Sequence, residues 1–217
     1  TPDLPPHYAL RDLVLDASGD LDEGWSVAGD AVLATQPGLD VSLEGHTTIK
    51  QASIEKLAVS DGQGRSRSLE LRGASVSWSD GLSASGSLAW HYFPWQRLVP
   101  DLPSVPVAVS DAGLDFALED GEYTGRLDAQ LFTREGPVWL RTPVEGDFGR
   151  ASLEGLGLAS ALGRAAGDLG VGWSGGLEWR TDLALENLLP GRRLPELDGV
   201  LSGHLSSSGR MTDNGPE

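Results

Sequence analysis

The four histidines are the side chains of this sequence best suited to acid–base or metal chemistry. His7, His46, His91 and His204 lie far apart, and none is within helical or hairpin reach of another. The sequence also lacks His-Glu-x-x-His and Gly-x-Ser-x-Gly, the short motifs of zinc proteases and serine hydrolases. No glycine-rich run leads into the strand, turn and helix of a dinucleotide site. We therefore expect no catalytic residue, no enzyme activity and no cofactor.

Two groups of acidic residues have the ligand type that calcium prefers. Asp20, Asp22 and Glu23 form one group, and Asp111 and Asp115 form the other. The whole surface is acidic, because the chain has 32 Asp and Glu residues against 16 Lys and Arg residues. Carboxylates that line turns on an acidic surface explain both groups, so we predict no metal site.

The charge and the cysteine content restrict the class of partner and the compartment. A formal charge of −16 repels the phosphate backbone, so we predict no nucleic-acid partner. The chain has no cysteine, which excludes disulfides and thiolate metal sites and suits an oxidising compartment. The first residues resemble neither a signal peptide nor a membrane helix, and we expect any targeting segment or anchor to lie outside this fragment.

Strict alternation of apolar and polar side chains is the dominant local pattern. From Leu82 to Tyr92 every second residue is apolar or glycine, and the residues between are mostly small or polar. The same period recurs over 39–43, 123–131 and 177–185. A period of two predicts half-buried β-strands, and Asp-Gly and Gly-Gly pairs between them predict tight turns. The sequence therefore predicts an all-β fold of about a dozen strands in an antiparallel meander.

Glycines follow apolar residues inside several of the predicted strands, as in Leu43-Glu44-Gly45 and Leu153-Glu154-Gly155. Glycine within a strand often marks a bulge or a bend. Rows of such positions would let the sheet curl around a hollow, although glycines that relieve crowding in a packed sandwich explain the pattern equally well.

Prolines divide the chain. We predict a first β segment over residues 1–92, a proline-rich connector over 93–106 with a helical turn at 94–99, and a second β segment over 107–217. A shorter break covers 189–195. Residues 153–169 contain enough Ala and Leu for a helix, but their glycines favour a strand with a bulge.

Two segments resemble the TamB family of Gram-negative envelope proteins. One is the run from Leu185 to Leu205, which contains Leu-Leu-Pro-Gly followed by Leu-Pro-Glu-Leu-Asp-Gly-Val-Leu-Ser-Gly. The other is the Phe-Pro-Trp-Gln-Arg-Leu-Val-Pro run of the connector. The repeated strands with internal glycines resemble the family over the whole chain.

This resemblance implies a fold and a function. The fold would be a long curled antiparallel meander sheet that forms an elongated, β-taco-like trough with a hydrophobic inner face. The chain would be an internal, non-catalytic, periplasmic fragment of an inner-membrane-anchored protein that carries phospholipid between the inner and outer membranes and supports outer-membrane protein assembly. Its partners would be phospholipid acyl chains and, through the full-length protein, a TamA-like outer-membrane barrel.

The candidate groove residues are the apolar residues in phase with the alternation. They are Leu43, Leu71, Leu88, Trp90, Leu114, Phe116, Leu127, Leu131, Trp173, Trp179, Leu183 and Leu185. Alternation marks a face without showing what covers it, so ordinary core packing explains each residue equally well. The alternatives are a closed β-sandwich, acting as an adhesion or binding module of a secreted protein, and a membrane β-barrel.

Overall fold

The computed structural model describes residues 9–20, 22–62, 67–79, 81–94, 97, 108–192, 196, 199–212 and 215–216. Fourteen strands, β1 to β14, form within these residues. Consecutive strands pair antiparallel from β1 to β7 and again from β8 to β14. A short 3-10 helix, Pro190–Arg192, follows β12 at the predicted second break. The predicted all-β class and the antiparallel meander are therefore confirmed.

The first of two compact units covers Thr1–Val105 and Val109–Asp120. Its strands alternate apolar and polar residues, so that one face of the sheet is apolar. The strands are β1 (Leu10–Asp20), β2 (Gly24–Leu33), β3 (Leu39–Thr47), β4 (Gln51–Ser60), β5 (Ser68–Ser77), β6 (Ser83–His91) and β7 (Ala108–Glu119), whose first residue clusters with the other unit.

The second unit covers Pro106–Ala108 and Gly121–Glu217. Its strands follow the same alternation. They are β8 (Glu122–Thr133), β9 (Gly136–Asp147), β10 (Arg150–Ser160), β11 (Gly163–Gly172), β12 (Leu177–Leu188), β13 (Leu201–Thr212) and the two-residue β14 (Gly215–Pro216).

The segment 153–169 contains parts of two strands. β10 ends at Ser160, and β11 begins at Gly163 after a two-residue turn. The predicted bulge lies in β10, where the register with β11 shifts between Leu153 and Leu156. Gly155 lies within the shift with φ +70°, a conformation that side chains other than glycine rarely adopt. The prediction of a strand with a bulge is therefore correct for β10, whereas the turn between β10 and β11 was not predicted.

Most of the predicted connector, including four of the six residues of the predicted helical turn over 94–99, lies outside the described residues. At its start Phe93 is buried, and the backbone N–H of Arg97 donates to the carbonyl of Pro94 at 2.9 Å. The proposed boundaries at 92, 93–106 and 107 stay a prediction.

Full burial is rare among the described apolar residues. Only the following are buried: Ala31, Leu39, Ala74, Phe93, Ala112 and Leu156. Much of the apolar surface therefore lies outside any closed core.

Candidate functional site

A row of apolar residues crosses the first unit from strand to strand. Each residue is paired with the next by the antiparallel register. The row is Leu15, Gly29, Leu43, Leu57, Leu71, Leu88 and Leu114. Leu43, Leu71 and Leu114 are half-buried, although they lie at the centre of the sheet. A closed β-sandwich would bury such a central row, so the half-exposure favours a face that is partly open.

Aromatic residues extend this apolar face on both sides of the leucine row. Trp90 lies two residues along β6 from Leu88 and pairs with Leu69 and Ala112. Because side chains on a strand alternate between faces, Trp90 shares the face of Leu88. Phe116 shares it for the same reason, opposite Gly86 in β6.

The other face of the first unit is polar. The row next to the leucines consists of Asp16, Ala28, Glu44, Lys56, Arg72, Ser87 and Asp115. Arg72 forms an ion pair with Glu70, and the Ser87 hydroxyl donates to Asp115 at 2.5 Å. The charged residues of this row therefore lie on the face opposite the leucines.

The second unit has an apolar face of the same kind. One row of it is Tyr123, Gly146, Ala151, Val171, Trp179 and Gly209, and a parallel row is Ala129, Leu140, Leu158, Ala165, Leu185 and Gly203. Leu183 lies between these rows, opposite Gly167 and Leu205. The opposite face carries the ion pairs Arg150–Asp147 and Arg210–Glu178.

The second apolar face includes the polar atoms of two aromatic side chains, Tyr123 and Trp179. Each of these atoms forms a hydrogen bond within the chain. The Tyr123 hydroxyl donates to the carbonyl of Arg150 at 2.9 Å. Burial and the nearby Asp147 carboxylate raise the pKa of Tyr123 above its ordinary value, so the phenol is neutral at physiological pH. The indole N–H of Trp179 donates to the Ser207 hydroxyl at 3.4 Å. The aromatic rings therefore present mainly carbon to the face.

Eleven of the twelve candidate groove residues lie on these two apolar faces and are half-buried. They are Leu43, Leu71, Leu88, Trp90, Leu114 and Phe116 in the first unit, and Leu127, Leu131, Trp179, Leu183 and Leu185 in the second. Trp173 differs, because it lies just after β11 and is 46% exposed. Contact of any of them with acyl chains stays a prediction.

Other members of the apolar faces could not be predicted from strict alternation, because bulges interrupt it. In β4 the register shifts at Glu55, so Ile54 and Leu57 share a face although their spacing is odd. Leu153 and Leu156 of β10 share a face in the same way. The glycine at 155 was the available signal for β10, but β4 has no such marker.

The described histidines and acidic groups stabilise turns and the polar face. The His91 ring is within hydrogen-bonding distance of the Asp111 carboxylate, and the His204 ring lies 2.9 Å from the Asp182 carboxylate, on the side opposite the apolar rows. Asp20 accepts the backbone N–H of Asp22 at 2.9 Å and that of Glu23 at 2.7 Å, which is the turn-lining role expected for it. His7 lies outside the described residues.

The comparison with known protein families gave one match. Residues 121–216, most of the second unit, match the family model described as TamB, N-terminal domain. Over these residues the chain is similar to the N-terminal domain of TamB. No curated protein and no solved structure matches the chain. Within the described part of the chain, we find no helix with the length and hydropathy of a membrane span.

Proposed function

We propose that this chain is a segment of a TamB-family protein and that its apolar faces contact phospholipid acyl chains as the lipid moves between the inner and outer membranes. The observation that carries the proposal is the row of half-buried leucines, matched residue by residue across five strands of the first unit, β3 to β7. The proposed role is non-catalytic, because carriage along such a face needs contact and no change of covalent bonds.

The dimensions of the row suit an acyl chain. Adjacent strands lie about 4.8 Å apart, so a row that crosses seven strands extends about 29 Å. One leaflet of a bilayer is about half of the 30 Å hydrocarbon core, so one acyl chain crosses about three strands. Each CH₂ removed from water contributes about 0.8 kcal/mol. A tail that advances by one strand exchanges one leucine contact for another of similar free energy, which permits sliding.

In this proposal the apolar face contacts lipid and the polar face contacts water. Ion pairs and exposed carboxylates keep the polar face hydrated, so the open apolar face does not force aggregation by itself. The polar side chains of the apolar face that we have described are hydrogen-bonded within the chain, so they do not compete for the head group. In this proposal the chain is a periplasmic segment of an inner-membrane-anchored protein, and a TamA-like barrel receives the full-length protein and links it to outer-membrane assembly.

Lipid retention tests the proposal. Phospholipid that co-purifies with the chain under mild conditions would be identified by native mass spectrometry for the parent chain, Leu183→Glu and Ala184→Glu. Ala184 is the adjacent residue on the opposite face of β12, where it pairs with His204. We expect a several-fold loss of lipid in Leu183→Glu and no loss in Ala184→Glu, with the β circular-dichroism spectrum retained in both. A parent chain that retains no phospholipid would contradict the proposal, as would equal retention by both variants.

A further inference from the structure

A tryptophan at the end of β5 makes two hydrogen bonds to one turn of the first unit. The backbone N–H of Trp78 donates to the carbonyl of Lys50 at 3.1 Å, and its indole N–H donates to the carbonyl of Ile49 at 2.9 Å. The preceding residue, Thr48, accepts the N–H of Lys50 at 3.3 Å through its hydroxyl. Ile49 lies between these bonds and is 73% exposed.

The second unit repeats the arrangement with different residues. The backbone N–H of Trp173 donates to the carbonyl of Gly149 at 2.8 Å, and its indole N–H donates to the carbonyl of Phe148 at 2.7 Å. Asp147 accepts the N–H of Gly149 at 2.7 Å, in the role that Thr48 has in the first unit. Phe148 is also 73% exposed. We call each arrangement a tryptophan clasp.

The two clasps lie in one short sequence pattern. Residues 76–82 and 171–177 share Val-x-Trp-Ser-x-Gly-Leu. In each case the valine is on the apolar face of a strand and the tryptophan follows that strand. The family match covers the second occurrence but not the first. The repetition of both sequence and hydrogen bonds indicates that the two units contain the same structural element.

A clasp fixes the distance between two successive turns on one side of a sheet. The backbone bond extends the strand ladder by one residue, and the indole bond reaches one residue further into the turn. Neighbouring strands twist by about 20–25° relative to each other, so the spacing of the turns influences how the apolar face curves. The indole has only two side-chain torsions and is therefore a rigid link.

We propose that Trp78 and Trp173 are positioning residues, each of which holds the apolar face of its own unit in the curvature that admits acyl chains. This inference rests on the function proposed above and adds that each unit has its own positioning element. A clasp contributes one side-chain hydrogen bond, so its loss should change occupancy about two- to tenfold, the factor that corresponds to one net hydrogen bond.

Site-specific photo-cross-linking in the full chain tests the inference. A photoreactive amino acid would replace Val76 in the first unit or Val171 in the second, and the protein would be mixed with phosphatidylcholine vesicles. Trp78→Phe should lower lipid cross-linking at 76 about two- to tenfold and leave cross-linking at 171 unchanged. Trp173→Phe should give the converse. Both variants keep an aromatic ring and remove only the N–H donor.

Trp139→Phe is the matched control, because Trp139 is 50% exposed and pairs with Gln130 on the polar face. It should change neither signal. Unchanged cross-linking in both clasp variants would overturn the inference. Equal losses at both positions in either variant would also overturn it, since a general loss of structure would explain them.

A second readout separates failure of the clasp from failure of lipid carriage. The chain contains no cysteine, so Lys50→Cys and Ser79→Cys would introduce the only two spin-label sites. Trp78→Phe should broaden the distance distribution between the two labels. If the parent chain cross-links no lipid but the distances broaden, the proposed function fails while the clasp stands. If the distances do not change, the clasp inference fails.

Discussion

Truncation of a central leucine distinguishes a partly open face from a closed core. Leu71 pairs with Leu57 and Leu88 and is half-buried, whereas Leu39 is completely buried. Leu→Ala removes about three carbon groups at about 0.8 kcal/mol each when they are fully buried. Half of that burial gives about 1.2 kcal/mol for Leu71→Ala, without a further cost for a cavity because solvent fills the space. Leu39→Ala should cost about 2–5 kcal/mol, the range for a leucine in a closed core.

The free energies of unfolding would be measured by urea denaturation, followed by circular dichroism, on protein from which lipid has been removed. With a slope of about 2 kcal/mol per molar urea, Leu71→Ala should shift the midpoint by about 0.6 M and Leu39→Ala by about 1 M or more. If both variants lost more than about 2 kcal/mol of unfolding free energy in equal measure, Leu71 would lie in a closed core and the face would not be partly open.

Further predictions concern the bulge, the phenol and an ion pair. Gly155→Ala should cost about 1–2 kcal/mol through its positive φ alone, since no atom lies within 4 Å of the added Cβ, whereas Gly157→Ala should be nearly neutral in the same urea titration. The raised pKa of Tyr123 stabilises the fold below the ordinary tyrosine pKa, and this contribution is lost as pH rises through the raised value. Tyr123→Phe should therefore lose less stability between about pH 8 and pH 11 than the parent chain, measured as urea midpoints. Asp128→Asn removes the exposed ion pair with Arg141 and should leave the melting temperature nearly unchanged, whereas a clear decrease would contradict the exposed geometry.

The regular strands could be predicted from sequence because their alternation is unbroken. β6, β8 and β12 place Leu88, Leu127 and Leu183 on the apolar face that their parity predicts. Side chains on a strand change face at every residue, so the pattern carries this information directly.

Other parts of the fold depend on contacts that the pattern does not contain. An extra residue in β4 places Ile54 and Leu57 on the same face although they are three residues apart. Strict alternation therefore does not predict the faces of this strand. Trp173 has the parity of Val171, yet it follows the strand and bonds to the Phe148 carbonyl, which lies in a different turn. Such a bond joins residues that are distant in sequence, and only the register of the folded sheet brings them together.

Lipid cross-linking at two adjacent residues of β6 is the most direct test of whether the apolar face contacts acyl chains. Leu88 lies on the apolar face between Leu71 and Leu114, and Ser87 lies on the polar face opposite Asp115. A photoreactive residue at each position in turn, activated in cells that make the full-length protein, reports lipid contact by the mass of the adduct. We expect a phospholipid adduct at 88 and none at 87. Absence of an adduct at 88, or equal adducts at both positions, would contradict this expectation.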